Sequence, residues 1–426
     1  MTYEEALEYI SKQGRFAMKL GTERTRTLLD RIGAPDRGLR GALIAGTNGK
    51  GSTGVCLASV LRASRLRVGF MPKPHLISYT ERIEVDGTPI SEQELVDTLE
   101  SLLPVFDEVA SDIGPPTEFE MLTVLAIAYL APRIDLLVCE VGLGGRLDAT
   151  NALDLGVALI TNVDLDHQKY LGDTIGQIAR EKAAIIKAGN RVVTGCRGEA
   201  LAIVEERAAE VGASVWRLGH EVRVEARSKG WSGHVLDVAG PGFEHSGLRL
   251  PLVGDYQPEN AALAVAAAHL LVEDIAPDAV RDGLAATRWP GRLEVIGQRP
   301  RVILDGGHNP AAMAKAGAAL RRLIGSERLV AVFAMLSERD PVQLLAVLRS
   351  LRPDGAVFTE PASAGGHAIA AEQLASIYGV GAEVARPASA ALDRARAIAG
   401  AEGNVLVCGS LYLVGEILSV AGPARR

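Results

Sequence analysis

Cysteine is scarce in this chain: Cys56, Cys139, Cys196 and Cys408 are the only four in 426 residues, and no two form a Cys-x-x-Cys pair. That spacing excludes a disulfide framework and argues against structural zinc, so the four read as buried thiols in a reducing compartment. Positive charge is not in excess either. With 45 Lys and Arg against 52 Asp and Glu, the formal charge is -7, which excludes general nucleic-acid binding while leaving room for a local basic cleft. Long hydrophobic runs are missing too. The longest apolar stretch, Ala261 to Ala268, is too short to cross a bilayer, and the start, Met1-Thr2-Tyr3-Glu4-Glu5, has no apolar leader region. A cytoplasmic protein with neither membrane nor nucleic-acid partners is expected.

Apolar residues are plentiful. At 48% hydrophobic, 426 residues exceed what one core usually organises, so two domains are expected. Short aliphatic runs (134–139, 157–160, 192–194) alternate with helical spacing (118–130, 175–186), the pattern of a mostly parallel sheet covered by helices. Between Ser214 and Leu252 the pattern shifts to strand-like alternation with breaks at Lys229-Gly230 and Gly240-Pro241-Gly242, predicting a small antiparallel sheet. Helices near 258–272 and 277–286 then lead into Arg288-Trp289-Pro290-Gly291-Arg292, whose Pro and Gly usage is linker-like, and 291–297 is read as the linker. Strands at 302–304, 329–333, 356–359 and 405–408 follow. The expected fold is therefore α/β, with a phosphate-loop domain over 1–290 and a smaller Rossmann-like domain over 298–426.

The richest motif is Gly46-Thr47-Asn48-Gly49-Lys50-Gly51-Ser52, between the apolar run 42–45 and a helix-like segment from Thr53 to Ala63. A strand that breaks at glycines and restarts as a helix gathers bare N–H groups, a helix N-terminus and a lysine around one point, where polyphosphate can sit. The spacing departs from the general phosphate loop: Ile44 takes the first glycine position, and Gly51 separates Lys50 from Ser52. A glycine-rich turn of unrelated use is the plainer alternative.

Other polar residues fall at predicted strand ends, where open α/β sheets bind ligands. Glu140 ends one such strand and suits Mg²⁺, and His167 follows the next, although a lone histidine after a strand is more often an ordinary surface residue. Lys182 lies on a helix 15 residues beyond His167, where a solvated side chain is the ordinary case. Asp305-Gly306-Gly307-His308-Asn309-Pro310 closes the first strand of the second domain, and with Arg292 would put charge across an interdomain cleft; on local evidence a bland turn is about as good a reading.

Taken together, these motifs resemble the folylpolyglutamate synthase and dihydrofolate synthase family, a branch of the Mur-type ATP-dependent ligases. The resemblance runs through nearly the whole chain. It includes Pro74-His75-Leu76 with Thr80-Glu81-Arg82-Ile83, Glu140 to Asn151, Glu181-Lys182-Ala183, Gly291-Arg292-Leu293 and Cys408-Gly409-Ser410. The glycine between Lys50 and Ser52 separates this branch from its cell-wall relatives.

The family forms an acyl phosphate from ATP and a pterin-linked carboxylate, and the amino group of L-glutamate then attacks it, releasing ADP and phosphate. By this resemblance Thr47, Asn48, Gly49, Lys50, Gly51, Ser52, Asn260, Arg292 and Asp305 contact ATP. Glu140 and His167 serve two Mg²⁺ ions, with K⁺ a further candidate, and Lys182 matches a carbamylated lysine. Thr117, Glu118, Phe119, Glu120, Leu147, Asp148 and Ala149 match the pterin-binding segments, while His308 and Ser410 fall on the glutamate side. Lys50, His167, Lys182 and His308 are the catalytic candidates. The implied enzyme is a monomer acting on pterin or folate, L-glutamate and ATP, favoured as bifunctional. Its rivals are a cell-wall ligase using a UDP-linked precursor and a phosphate-loop NTPase switch. One departure stands out: Lys73 precedes Pro74-His75-Leu76 where the family commonly has a magnesium-binding serine, and an ammonium cannot ligate a cation. Lys73 either points away or lies against the phosphates.

Overall fold

The computed structural model describes residues 1–12 and 21–421. Its larger sheet has eight strands, in spatial order Thr88–Pro89, Glu84–Val85, Val68–Met71, Leu136–Glu140, Gly41–Ala45, Gly156–Ile160, Arg191–Thr194 and Ser214–Arg217. The six from Val68–Met71 onward are parallel; the two shortest form an antiparallel hairpin at one edge. Burial on both faces explains why Leu136–Glu140 and Gly41–Ala45 read as continuous apolar runs: every residue in them is buried.

Helix Lys50–Ala63 covers one face together with Gln257–Leu271; the first is buried by Gln257–Leu271 and Pro277–Ala286, and the second by a separate three-stranded sheet (Arg223–Ser228, His234–Gly240, Phe243–Leu250) that closes over it. That sheet is antiparallel, with its breaks at the glycines that the sequence marks. Ser214–Arg217 does not belong to it. Although expected within the antiparallel unit, this segment adds in parallel to Arg191–Thr194, because the helix Gly198–Glu210 supplies a crossover between them.

The second sheet runs Glu294–Gln298, Arg301–Leu304, Asn404–Cys408, Leu329–Phe333, Gly355–Phe358 and Ala382–Val384, all parallel except the first. Most of 291–297 is thus not free linker: Glu294 onward pairs with the chain that follows, forming the antiparallel edge. Helix Leu411–Ala421 backs this sheet and also meets the first half, since a Cβ on Gly415 would lie 1.9 Å from the Leu76 carbonyl oxygen. The carboxyl ends of the parallel strands in the two sheets meet, which places Gly46–Lys50, Glu140 and Asp166 opposite Asp305, Asn309 and Arg339.

Candidate active site

The phosphate loop is held by its glycines and by the neighbouring strand end. Gly49 adopts φ 84° as it caps helix Lys50–Ala63, a backbone state costly for other residues, and a Cβ there would lie 2.5 Å from Asn260 Oδ1. Gly51 has a different reason: its Cβ would fall 2.7 Å from the Trp289 ring. The extra glycine is room for a tryptophan. Thr47 N donates to Asn162 O at 3.0 Å, Asn48 N to Asn162 Oδ1 at 3.0 Å, and Thr161 Oγ1 to Asn48 O at 2.7 Å, so the loop is fixed to the residues after Gly156–Ile160. Lys50 Nζ donates to Gly46 O at 3.0 Å and stands 3.9 Å from Glu140 Oε1. Asn48 Nδ2 is buried without a partner, and Ser52 is buried in the first helical turn. An orphan donor, a lysine and a helix N-terminus at one loop fit a polyphosphate.

Glu140 ends its strand buried, which raises its pKa against the pull of Lys50. Its two oxygens face different neighbours: Oε1 is turned to Lys50, while Oε2 accepts the Lys73 backbone N–H at 3.1 Å. The Lys73 ammonium lies over the Phe119 ring, 2.7 Å from its centroid. Burial pushes Lys73 down to about 7, with Asp148 pulling the other way. Glycine at 142 makes this possible, because a Cβ would meet Lys73 Nζ at 2.7 Å and Asp148 Oδ2 at 3.0 Å. Lys73, Phe119, Glu140, Arg82 and Thr150 line one small cleft.

The remaining pterin-segment residues divide. Thr117 and Glu120 form the capping box of helix Glu118–Leu130, and Glu120 also accepts from Arg24 Nε at 2.9 Å. Glu118 accepts from Tyr79 Oη at 3.0 Å. Asp148 caps the turn Ala149–Ala152 and accepts the Leu143 N–H at 2.9 Å, ordering the glycine loop, while Leu147 O accepts from Gly21 N at 3.0 Å.

Beyond the next strand, burial lowers the His167 pKa to about 4 despite Asp166. A neutral imidazole is the form that binds metals, and its Nε2 faces Arg339 Nη2 at 3.3 Å. Lys182 is 4% exposed and, through burial and then the nearby charge of Lys50, falls to about 7. Its helix presses on the glycine loop: a Cβ at Gly145 would lie 2.6 Å from Glu181 O. The solvated reading of Lys182 does not hold.

From the second sheet, Asp305 is buried and accepts the N–H groups of Gly307 at 2.9 Å and Leu293 at 3.2 Å. Arg292 adjoins it, since a Cβ at Gly306 would come 2.4 Å from Arg292 Nη1. His308 Nδ1 pairs with Gly306 O at 2.9 Å, and burial lowers its pKa to about 4. Ser410 is buried and accepts from Tyr412 N at 3.2 Å, a turn at the start of the last helix. Asn260 Nδ2 donates to Gln257 Oε1 at 3.0 Å.

Three residues absent from the sequence-derived site bind the halves together. Asn309 Nδ2 donates to Asp166 Oδ2 at 2.8 Å and to Asn48 Oδ1 at 3.0 Å; Arg339 Nη1 donates to Asp166 Oδ1 at 2.7 Å. Asn309, just before Pro310, and Asp166, just after a strand, had local signals that could have marked them. Arg339 carried no local signal. Among the described residues no group of three or more His, Cys, Asp or Glu could hold a metal ion, and no helix is long and apolar enough to cross a membrane.

Comparison with known proteins agrees with this geometry. Residues 44–268 match the Mur ligase middle domain and 291–411 the Mur ligase, glutamate ligase domain. A Haloferax volcanii protein named probable bifunctional folylpolyglutamate synthase/dihydropteroate synthase is 36% identical over 420 residues, which are 98% of this chain and 50% of that one. The chain thus spans about half that relative's length. The Escherichia coli dihydrofolate synthase/folylpolyglutamate synthase is 36% identical over 423 residues, 99% of this chain and 95% of its own. The solved Mycobacterium tuberculosis folylpolyglutamate synthase, complexed with ADP and AMPPCP, superposes with a TM-score of 0.92 at 32% identity over 99% of both chains. With both ligase domains matched and relatives alike over nearly the whole length, the chain belongs to the folylpolyglutamate synthase and dihydrofolate synthase family of Mur-type ligases.

Proposed function

We propose that this protein joins L-glutamate to a pterin-linked acid, either dihydropteroate or a folate and its polyglutamates, at the expense of ATP. The observation that carries the reading is the convergence of Lys50, Glu140, His167 and Lys182 from the first half on Asp305, His308 and Arg339 from the second. Two charged substrates must meet away from water for an acyl phosphate to survive, and a junction between two domains is where that can be arranged. The lobes of this reading are those expected from sequence, 1–290 and 298–426, with the strand from Glu294 added to the second.

In the first step a carboxylate oxygen of the acid attacks the γ-phosphorus of ATP, forming the acyl phosphate as ADP leaves. The loop amides and Lys50 neutralise the phosphates, with Asn260, Arg292 and Asp305 holding the rest of the nucleotide. In the second step the glutamate nitrogen attacks the acyl carbon and inorganic phosphate departs. The amine proton needs an acceptor, and His308 is suited: it is neutral near pH 7, and donation from Nδ1 to Gly306 O leaves Nε2 free to accept. Ser410 shares that side of the cleft.

Glu140 and His167 would hold magnesium, two ions in all with K⁺ a further candidate; bound there, the metal offsets phosphate charge. A carboxylate and a neutral imidazole on separate strand ends fit an ion that takes its other ligands from phosphates and water. Lys182 is the candidate for carbamylation, since burial favours the free amine that reacts with CO₂. Four free buried cysteines suit a reducing compartment such as the cytoplasm, where this reading has the protein act as a monomer.

ADP release with ATP, Mg²⁺ and L-glutamate tests the reading, comparing dihydropteroate, tetrahydrofolate and UDP-linked cell-wall precursors. Turnover with either pterin substrate is expected. Turnover with the UDP-linked precursors alone would overturn it.

A further inference from the structure

Among the described residues the Lys73 ammonium makes no ion pair, although the charges of Asp148 and Glu140 act on it from farther off. Its side chain has no hydrogen-bonded acceptor among the described residues, and its ammonium rests on the face of Phe119. The nearest carboxylates are committed elsewhere. Asp148 Oδ1 takes the Thr150 N–H at 3.0 Å, Asp148 Oδ2 takes the Leu143 N–H at 2.9 Å, and Glu140 Oε2 takes the Lys73 backbone N–H at 3.1 Å. An ammonium carries three donors, and leaving them unused beside an apolar ring is costly unless an anion arrives.

The position says which anion. Glu140 turns one oxygen to Lys50 of the phosphate loop and gives the other to the Lys73 backbone N–H, so residue 73 adjoins the loop's acidic neighbour while its ammonium rests on Phe119. Phosphates held at the loop amides meet Lys50. A flat acid lying along Phe119 with its carboxylate turned toward that loop would bring the carboxylate past Lys73.

We propose that Lys73 is a specificity-determining residue that binds the carboxylate of the acceptor acid and aims it at the phosphate loop. The inference rests on the proposed ligase reading and adds to it a binding residue peculiar to this cleft. A cation on the acid side favours ring-bearing acids over equally flat molecules without a carboxylate.

Calorimetric titration of the full chain with dihydropteroate, and separately with a carboxylate-free pterin such as 6-hydroxymethyl-dihydropterin, tests this directly. Lys73→Met should weaken dihydropteroate by about tenfold or more while shifting the carboxylate-free pterin less than about twofold. Lys73→Arg, which keeps the charge, should recover most of the loss, and unchanged ADP affinity in both variants certifies the fold. If Lys73→Met weakens the two pterins equally, or neither, the inference fails and the ligase reading stands. Wild-type protein that binds neither pterin overturns both.

Discussion

Arg339 donates to Asp166 at 2.7 Å across the junction of the two sheets, and both side chains are largely shielded from water there. Asn309 takes the other oxygen of the same carboxylate. Such a pair is worth more than a surface ion pair because solvent screens it less. Arg339→Ala and Asp166→Ala, combined in a double-mutant cycle of unfolding free energies, should show a coupling of about 1–2 kcal/mol; additive losses would mean that the contact does not hold the halves together. The pH dependence has a definite sign. Burial opposes ionisation of Asp166, yet His167 and Arg339 outweigh it and hold the pKa to about 2, below its ordinary 3.8. The pair's stabilisation is therefore complete above about pH 4 and disappears as pH falls through 2. In Arg339→Ala the folded-state pKa of Asp166 should move back up toward 3.8, so less stability should be lost between pH 4 and 2 in melts across an acid series.

Gly51→Ala should destabilise the protein by about 1–3 kcal/mol, because its methyl group meets the Trp289 ring at 2.7 Å and a ring wedged against Phe70 has little room to retreat. Trp289→Phe should relieve most of that cost in the double variant. Thermal melts decide it, and an unchanged midpoint for Gly51→Ala would show that the tryptophan moves freely.

Carbamylation of Lys182 should be visible near neutral pH. CO₂ adds to the uncharged amine, which loses a proton as the N–C bond forms, so occupancy rises as pH climbs through about 7 and then levels off. An ordinary lysine would require far higher pH. Protein equilibrated with ¹³CO₂ should give a carbamate carbon signal that Lys182→Ala lacks; identical spectra would remove the modification from the site.

Lys73→Ser should lower the Mg²⁺ concentration for half-maximal turnover by about tenfold, the worth of one added ligand of about 1.4 kcal/mol. The ammonium lies on Phe119 rather than at the phosphate loop, so at saturating pterin substrate its removal should not abolish turnover. Loss of turnover in a folded, ATP-binding variant would make Lys73 a catalytic cation instead.

Strands buried on both faces announce themselves as unbroken aliphatic runs, so 329–333 was legible to the residue and 157–160 nearly so. Ser214–Arg217 was not, because its partner is chosen by a crossover helix and not by its own alternation. The site divides along the same line. Lys50 and Glu140 show themselves by following apolar runs, whereas Lys182 looks like any helical lysine until the glycine loop is laid over it. Arg339 acquires meaning only when the two sheets meet and bring it to Asp166, 173 residues away in sequence.

Glu140 keeps one oxygen toward Lys50 and gives the other to the Lys73 backbone. A single carboxylate thereby borders both of the proposed substrate positions. Thermodynamic linkage then imposes a symmetry: whatever factor bound nucleotide applies to the affinity for the acid, bound acid must apply to the affinity for nucleotide. The order in which the two load is a kinetic matter, but the cooperativity between them is one number, and Glu140 is where it would be set.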